Sequence, residues 1–264
     1  MRTAPGRTGM PRNRLGRGLG VVVVVLGVAG CASAGDPGDA PPSAAVADGY
    51  LCDHVSISRE AVETRVPVGA IDDAGRAALA EARWDDGSPV DLPPEEDWYL
   101  AAMTDDLVGV MRDIEVVPDP SSMGLSRDHE LLTVERVDDA TNLAPGWYVG
   151  QSGTCALTVD LGDLTVPEVQ LQSPPDSRST EVALLVTEVS CNSGEDAAGR
   201  IEVVSLDETD DTVSLILGVR PRNGAQNCPS NPATPFTVTL SHPLGERQVM
   251  DASLADPRPL TVKE

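Results

Sequence analysis

The sequence predicts an α+β N-terminal domain, one helix plus an antiparallel sheet, followed by an all-β, immunoglobulin-like sandwich. Three observations carry that prediction. One Ala-rich segment has helical end charges, β-branched runs recur at roughly 10 to 20 residues between turn-rich segments, and the chain is 41% hydrophobic yet 3% aromatic. Its cores must therefore be built from Val, Leu and Ala. The 264 residues suit one large or two small domains, and the predicted division is a leader at 1–30, a flexible tether at 31–48, the α+β domain at 49–165 and the sandwich at 168–262.

The leader carries Arg2, Arg7, Arg12, Arg14 and Arg17 without an acidic residue, then Leu19 to Leu26 as a nearly continuous apolar run, then Val28-Ala29-Gly30-Cys31. Charged, apolar and small residues in that order address a protein outward. The apolar run is too short to span a bilayer, which takes about 20 residues as a helix. Its last four residues resemble the lipobox of bacterial lipoproteins. The resemblance implies a lipoprotein signal peptide, cut before Cys31, and a diacylglyceryl group bearing palmitate-like chains on the Cys31 thiol. Two or more chains, at about 0.8 kcal/mol per buried methylene, hold such a protein permanently on the outer face of the cytoplasmic membrane. The competing reading is an ordinary secretion signal with an incidental cysteine.

Charge narrows the partners. Of 42 acidic and 19 basic residues, five arginines leave with the leader, so the mature chain carries 14 basic residues and a net charge of −28. Acid on that scale repels phosphate, which excludes nucleic acid and direct docking on anionic lipid, and leaves the N-terminal lipid as the membrane contact. The expected protein is a monomer with an unknown protein or envelope partner.

Taken in order, Ala32 to Asp48 is small, Pro-rich and aperiodic, as a tether should be. Tyr50-Leu51-Cys52 opens the folded part. Asp72 to Arg83 is Ala-rich, with acids in front and arginine behind, and predicts the helix. Trp98 to Met103 and Leu107 to Met111 flank Thr104-Asp105-Asp106 as a hairpin, Val116 to Ser126 is a loop, and Leu131 to Val137, then Trp147 to Val149 ending in Cys155 to Val159, supply the remaining strands. Pro167 and Pro174-Pro175 mark the passage to the second region. There, Val182 to Val189, Ile201 to Leu206, Val213 to Val219, Phe236 to Leu240 and the short Arg247 to Met250 are the predicted strands.

Five cysteines leave one over, and Cys31 is the one to subtract. Cys52, Cys155, Cys191 and Cys228 then allow three pairings. Domain economy selects Cys52 with Cys155 and Cys191 with Cys228, each inside one predicted domain, and exported thiols are oxidised. No C-x-x-C pair exists, so metal and redox roles have no support in the spacing.

Several chemistries lack their residues. Lys263 is the single lysine and no Gly-Lys-Ser/Thr loop exists, which disfavours nucleotide use and lysine-dependent serine acylation. Gly150-Gln151-Ser152-Gly153-Thr154 fails as a hydrolase elbow because Thr154 takes the place of the second glycine. His54, His129 and His242 form no His-x-x-x-His pair, so no metal, cofactor or catalytic residue is assigned. The acidic groups Asp85-Asp86, Asp105-Asp106, Asp138-Asp139 and Asp207 to Asp211 read as solvated turns, with calcium binding as the weaker alternative.

Thr187 to Gly194, Gly199-Arg200, Val219-Arg220-Pro221, Gly224 to Pro232 and Pro243 to Arg247 resemble a recurring disulfide-linked β module of uncharacterised actinobacterial exported lipoproteins. Gly150-Gln151 and Cys155 resemble the same proteins in the first region, where a shorter Gly-Gln-Cys is expected. The resemblance implies the sandwich and the pairing of Cys191 with Cys228, and no catalytic activity. The polar loops around those two cysteines form a candidate recognition edge, with Asn192, Arg200, Arg220, Arg222, Gln226 and Asn231 as its residues. The simpler account is a stable corner in which one arginine pairs with Glu188. The functional expectation is a non-enzymatic binding or envelope-interaction lipoprotein. Its alternative is an extracytoplasmic hydrolase using paired carboxylates.

Overall fold

A computed structural model of the chain describes residues 48–91, 97–116, 125, 127–138 and 143–263, all within the unit Pro41–Glu264. The leader, Cys31, all of the tether except Asp48, and most of the 116–126 loop lie outside the described residues. Among the described residues the fold is mostly β: fourteen strands in four sheets, against two short α-helices. No helix among them is long and apolar enough to cross a membrane.

The chain enters through β1 (Gly49–Cys52) and β2 (Val55–Ser58), an antiparallel hairpin, and α1 (Arg59–Thr64) follows at once. Ser58 starts that helix by accepting the Ala61 N–H at 3.1 Å, the hydroxyl cap that otherwise orphaned N–H groups require. Asp72 does the same for α2 (Asp73–Glu81), accepting the Gly75 N–H at 2.8 Å. The predicted helix extends through Arg83, whereas α2 stops at Glu81. Arg83 cannot continue it because its backbone is taken by a strand: its N–H donates to Trp147 O at 3.0 Å, and its carbonyl accepts from Val149 N–H at 2.9 Å.

The receiving strand is β6 (Gly146–Cys155), at the edge of the antiparallel sheet β3 (Tyr99–Met103), β4 (Leu107–Asp113), β5 (His129–Val137), β6. This sheet carries a core on each face, because alternate residues of a strand point to opposite sides. Val108, Val110, Leu132 and Val134 cluster with Ala78 and Leu79 of α2 and with Ala82 just after it. Tyr99, Ala101, Met111 and Leu131 cluster instead with Tyr50, Cys52, Ile57 and Leu157. The predicted strand ending in Cys155 to Val159 is in fact divided. β6 closes at Cys155, and β7 (Leu157–Val159) joins the small sheet β2-β1-β7.

The second region builds two further sheets. One is β12 (Thr234–Thr239), β9 (Glu181–Thr187), β8 (Glu168–Leu171); the other is β10 (Ile201–Glu208), β11 (Thr212–Val219), β13 (Gln248–Asp251), β14 (Arg258–Pro259). All strand ladders are antiparallel except β11 with β13. Val182, Leu184 and Val186 of β9 and Val213, Leu215, Leu217 and Val219 of β11 are nearly solvent-free and meet in one core. Glu208 fastens the 241–247 turn beneath β10, its carboxyl accepting from Ser241 N and Oγ and from Arg247 Nη1, each at 2.7 Å. In this region β8 and β14 are additional to the predicted strands, as the β1–β2 hairpin and α1 are in the first.

The boundary expected at 165–168 is bridged. A β-bulge between Val203 and Ser205 turns Val204 into the cluster of Tyr50 and Leu157 while leaving Val203 exposed. Thr165 and Val219 exchange two backbone hydrogen bonds at 2.9 Å, and Val159 N–H donates to Ser253 O at 2.8 Å. Gly218 is required here, because a Cβ would meet Leu164 side-chain carbons at 2.7 and 3.0 Å.

Candidate functional site

The two predicted disulfides are present. Cys52–Cys155 is buried within the core between the β3–β6 sheet and the β2-β1-β7 sheet, and Cys191–Cys228 lies exposed at the end of β9. Around the second, the six residues of the candidate recognition edge divide sharply. Glu188, directly after β9, is 1% exposed, and its Oε2 takes Arg200 Nη2 and Asn192 Nδ2, both at 2.6 Å. Arg200 is thus the arginine that pairs with Glu188, and it also donates through Nη1 to the Arg220 carbonyl at 2.8 Å and through Nη2 to the Asp196 carbonyl at 2.9 Å.

Asn192 is fully buried and folds its loop about itself. Its Oδ1 accepts Gly194 and Glu195 N–H at 3.1 Å, while Nδ2 also reaches Glu195 O at 2.8 Å. Asn231 spans the disulfide, donating to the carbonyls of Glu188 and Ser190 at 2.8 Å. These three side chains build the corner, leaving Arg220, Arg222 and the half-buried Gln226 at its surface. Even those have local partners: Arg220 meets Glu202, Arg222 Nη1 donates to Asn192 O at 3.2 Å, and Gln226 accepts from Ser193 Oγ at 2.9 Å. Glu188 Oε1 and Asn231 Oδ1 are buried acceptors without a hydrogen-bond partner.

The carboxyls best placed for acid and base work lie elsewhere. His129, 9% exposed, sits with Nδ1 at 2.7 Å from Asp128 Oδ1 and Nε2 at 3.4 Å from Asp113 Oδ1. Burial acts to raise the Asp128 pKa, yet the hydrogen bond from His129 and the charges of His129 and Arg258 outweigh it and hold that carboxyl below its usual range. Burial pushes Asp251 up, against the bonds its Oδ1 accepts from Ser253 N at 2.9 Å and Oγ at 2.5 Å. Two acids with opposed shifts near one arginine are a feature that hydrolases use. Here both are already engaged, Asp128 by His129 and Arg258 and Asp251 by Ser253, and neighbouring Asp113 is held by Arg65 at 2.5 Å and Tyr99 at 3.2 Å. Of the other histidines, His54 is exposed, and exposed His242 lies 3.1 Å from Ser241 Oγ. Among the described residues no group of three or more His, Cys, Asp or Glu is arranged to hold a metal ion.

An open groove remains, of about 460 Å³, between the turn after α2 and strand β6. Trp84, Asp85 and Asp86 form one wall and Val149, Gln151 and Ser152 the other. Trp84 is 41% exposed, in contrast to buried Trp98 at 4%. Its turn is closed by backbone hydrogen bonds: Trp84 N–H donates to Ser88 O at 2.9 Å and Gly87 N–H to Trp84 O at 2.8 Å, with Gly87 at φ +82°, a left-handed conformation that glycine adopts freely. Hydrogen bonds from the Ser88 hydroxyl and N–H hold the Asp86 carboxyl below its usual pKa range. The facing strand is re-aimed by a bulge, Gly150 being the extra residue between Val149 and Gln151. Asp85-Asp86-Gly87 is the solvated turn its composition predicts, and Trp84 beside it is the residue that composition does not single out. A tryptophan directly before an Asp-Asp-Gly turn was the available signal. Compared with family models, with curated proteins and with solved structures, the chain matches none.

Proposed function

We propose that this protein is a membrane-anchored extracytoplasmic lipoprotein, held at the outer face of the cytoplasmic membrane by acyl chains on Cys31, whose folded body is a non-enzymatic binding or envelope-interaction module. On this reading the body combines an α+β region at 49–165 with an immunoglobulin-like sandwich at 168–262, of the kind found in the actinobacterial exported proteins it resembles. The core between α2 and β3–β6 and the core between β9 and β11 each lie within one region and support that division, while the core on the other face of β3–β6 also takes in Val204.

The single observation that carries the proposal is the cysteine arithmetic. Cys52–Cys155 and Cys191–Cys228 use four of five thiols, and the fifth is the residue at the lipobox position. Disulfides persist in oxidising compartments, so export and the lipobox point the same way. A binding role is supported over hydrolysis because the buried carboxyls with opposed shifts are held by internal arginine, histidine and serine partners.

Metabolic labelling with a palmitate analogue in an actinobacterial host tests the anchor. The wild-type chain should take up label and fractionate with membranes, and Cys31→Ser should take up none. An unlabelled wild-type protein, or equal labelling of the two, contradicts the proposal.

A further inference from the structure

We propose that the groove between the Trp84 turn and the β6 bulge is a saccharide-binding site, in which the Trp84 indole stacks on a pyranose ring and Asp85, Gln151 and Ser152 hydrogen-bond its hydroxyls. Four observations converge on it. The indole is 41% exposed in a chain with only 3% aromatic residues, where every other tryptophan or tyrosine is at least half-buried. It is held on a backbone fixed at both ends, by the β6 pairing of Arg83 and the closed turn at Gly87, so little conformational freedom is lost on binding. The opposite wall is shaped by a bulge, a device that re-aims side chains.

The fourth observation is the chemistry of the lining. One flat apolar face is bordered by carboxyl, amide and hydroxyl groups, and a sugar ring presents the complement: an apolar C–H face edged by hydroxyls that both donate and accept. Asp85 and Asp86 exclude phosphorylated or uronate-bearing ligands by charge, in keeping with the acidity of the whole chain. The ligand class is therefore a neutral or amino-bearing oligosaccharide. The inference rests on the folded body being a binding module and is independent of Cys31, whose labelling test can fail while this one succeeds.

The test applies the full chain in detergent to an array of microbial and plant oligosaccharides, followed by titration of any glycan that binds. Trp84→Ala should lower affinity at least about tenfold, Trp84→Tyr should restore part of it, and Gln151→Ala should cost roughly threefold to tenfold at unchanged melting temperature. Absence of signal on every glycan would overturn the proposal, as would Trp84→Ala binding like the wild type. So would dimerisation through Trp84 or capture of an extended peptide along β6 in place of glycan binding.

Discussion

The two disulfides join the same atoms in opposite surroundings. Cys52–Cys155 closes a separation of 103 residues and is buried at 0% and 1% exposure among Tyr50, Met111, Leu131 and Leu157. Cys191–Cys228 closes 37 residues and is exposed, over a corner whose inside is polar: Glu188, Arg200 and Asn192 rather than a hydrocarbon core. Apolar packing would still gather the first pair if it were reduced. In the second, the bond, the buried ion pair and the polar contacts of Asn192 and Asn231, with no hydrocarbon core, oppose the conformational entropy of two long loops.

The largest effect should come from the buried pair. Replacing Cys52 and Cys155 together by alanine should cost about 5 kcal/mol on the chain-entropy model, with packing losses added, and denaturant titration should show the whole body destabilised. The exposed pair should cost about 4 kcal/mol on the same model, but locally. Hydrogen exchange of Cys191→Ser/Cys228→Ser should show protection lost through 188–200 and 222–234 and kept in β4 and β5. Under native conditions a mild reductant should open Cys191–Cys228 first, as differential alkylation would reveal. Simultaneous opening of both would erase the contrast.

The ion pair beneath the corner sharpens it. Arg200→Met leaves the Glu188 carboxyl buried without its cation and should cost about 3 kcal/mol, whereas adding Glu188→Gln in the same chain should recover part of that loss. Smallest is the effect at the Glu208 latch, which has no disulfide. Hydrogen bonds from Ser241 and Arg247 lower its pKa from 4.5 to about 2. A carboxyl depressed by folding stabilises above its unfolded pKa and loses that contribution as pH falls through the folded one, so the loss belongs between about pH 4.5 and 2. Melting temperatures measured across that window should fall less steeply for Glu208→Gln.

Much of this was legible in the residues. The period-two pattern of Val182-Leu184-Val186 and of Val213-Leu215-Leu217 marks strands with one buried face, and the structure places them so. The cysteine pairing followed from the odd count and domain economy. What failed did so for tertiary reasons. Arg83 suits a helix end by charge, yet the free edge of β6 claims its backbone. β8 and β14 are short, and β14 contains Pro259, so neither carries enough pattern to stand out. At the candidate recognition edge, side-chain type could not distinguish Asn192 and Asn231, which hold backbone inside the corner, from Arg220 and Arg222 at its surface. The Trp84 groove needs the bulge at Gly150 and the turn after α2 in one place, a juxtaposition about 65 residues apart in sequence.

The intact mass of the native protein taken from membranes, with and without reductant before alkylation, is the most direct measurement. The predicted species begins at Cys31, carries the added mass of its acyl chains, and accepts alkyl groups on four thiols only after reduction. A chain that retains its leader, has an alkylatable Cys31, or exposes free thiols without reductant would contradict the proposed anchoring at the outer face of the cytoplasmic membrane.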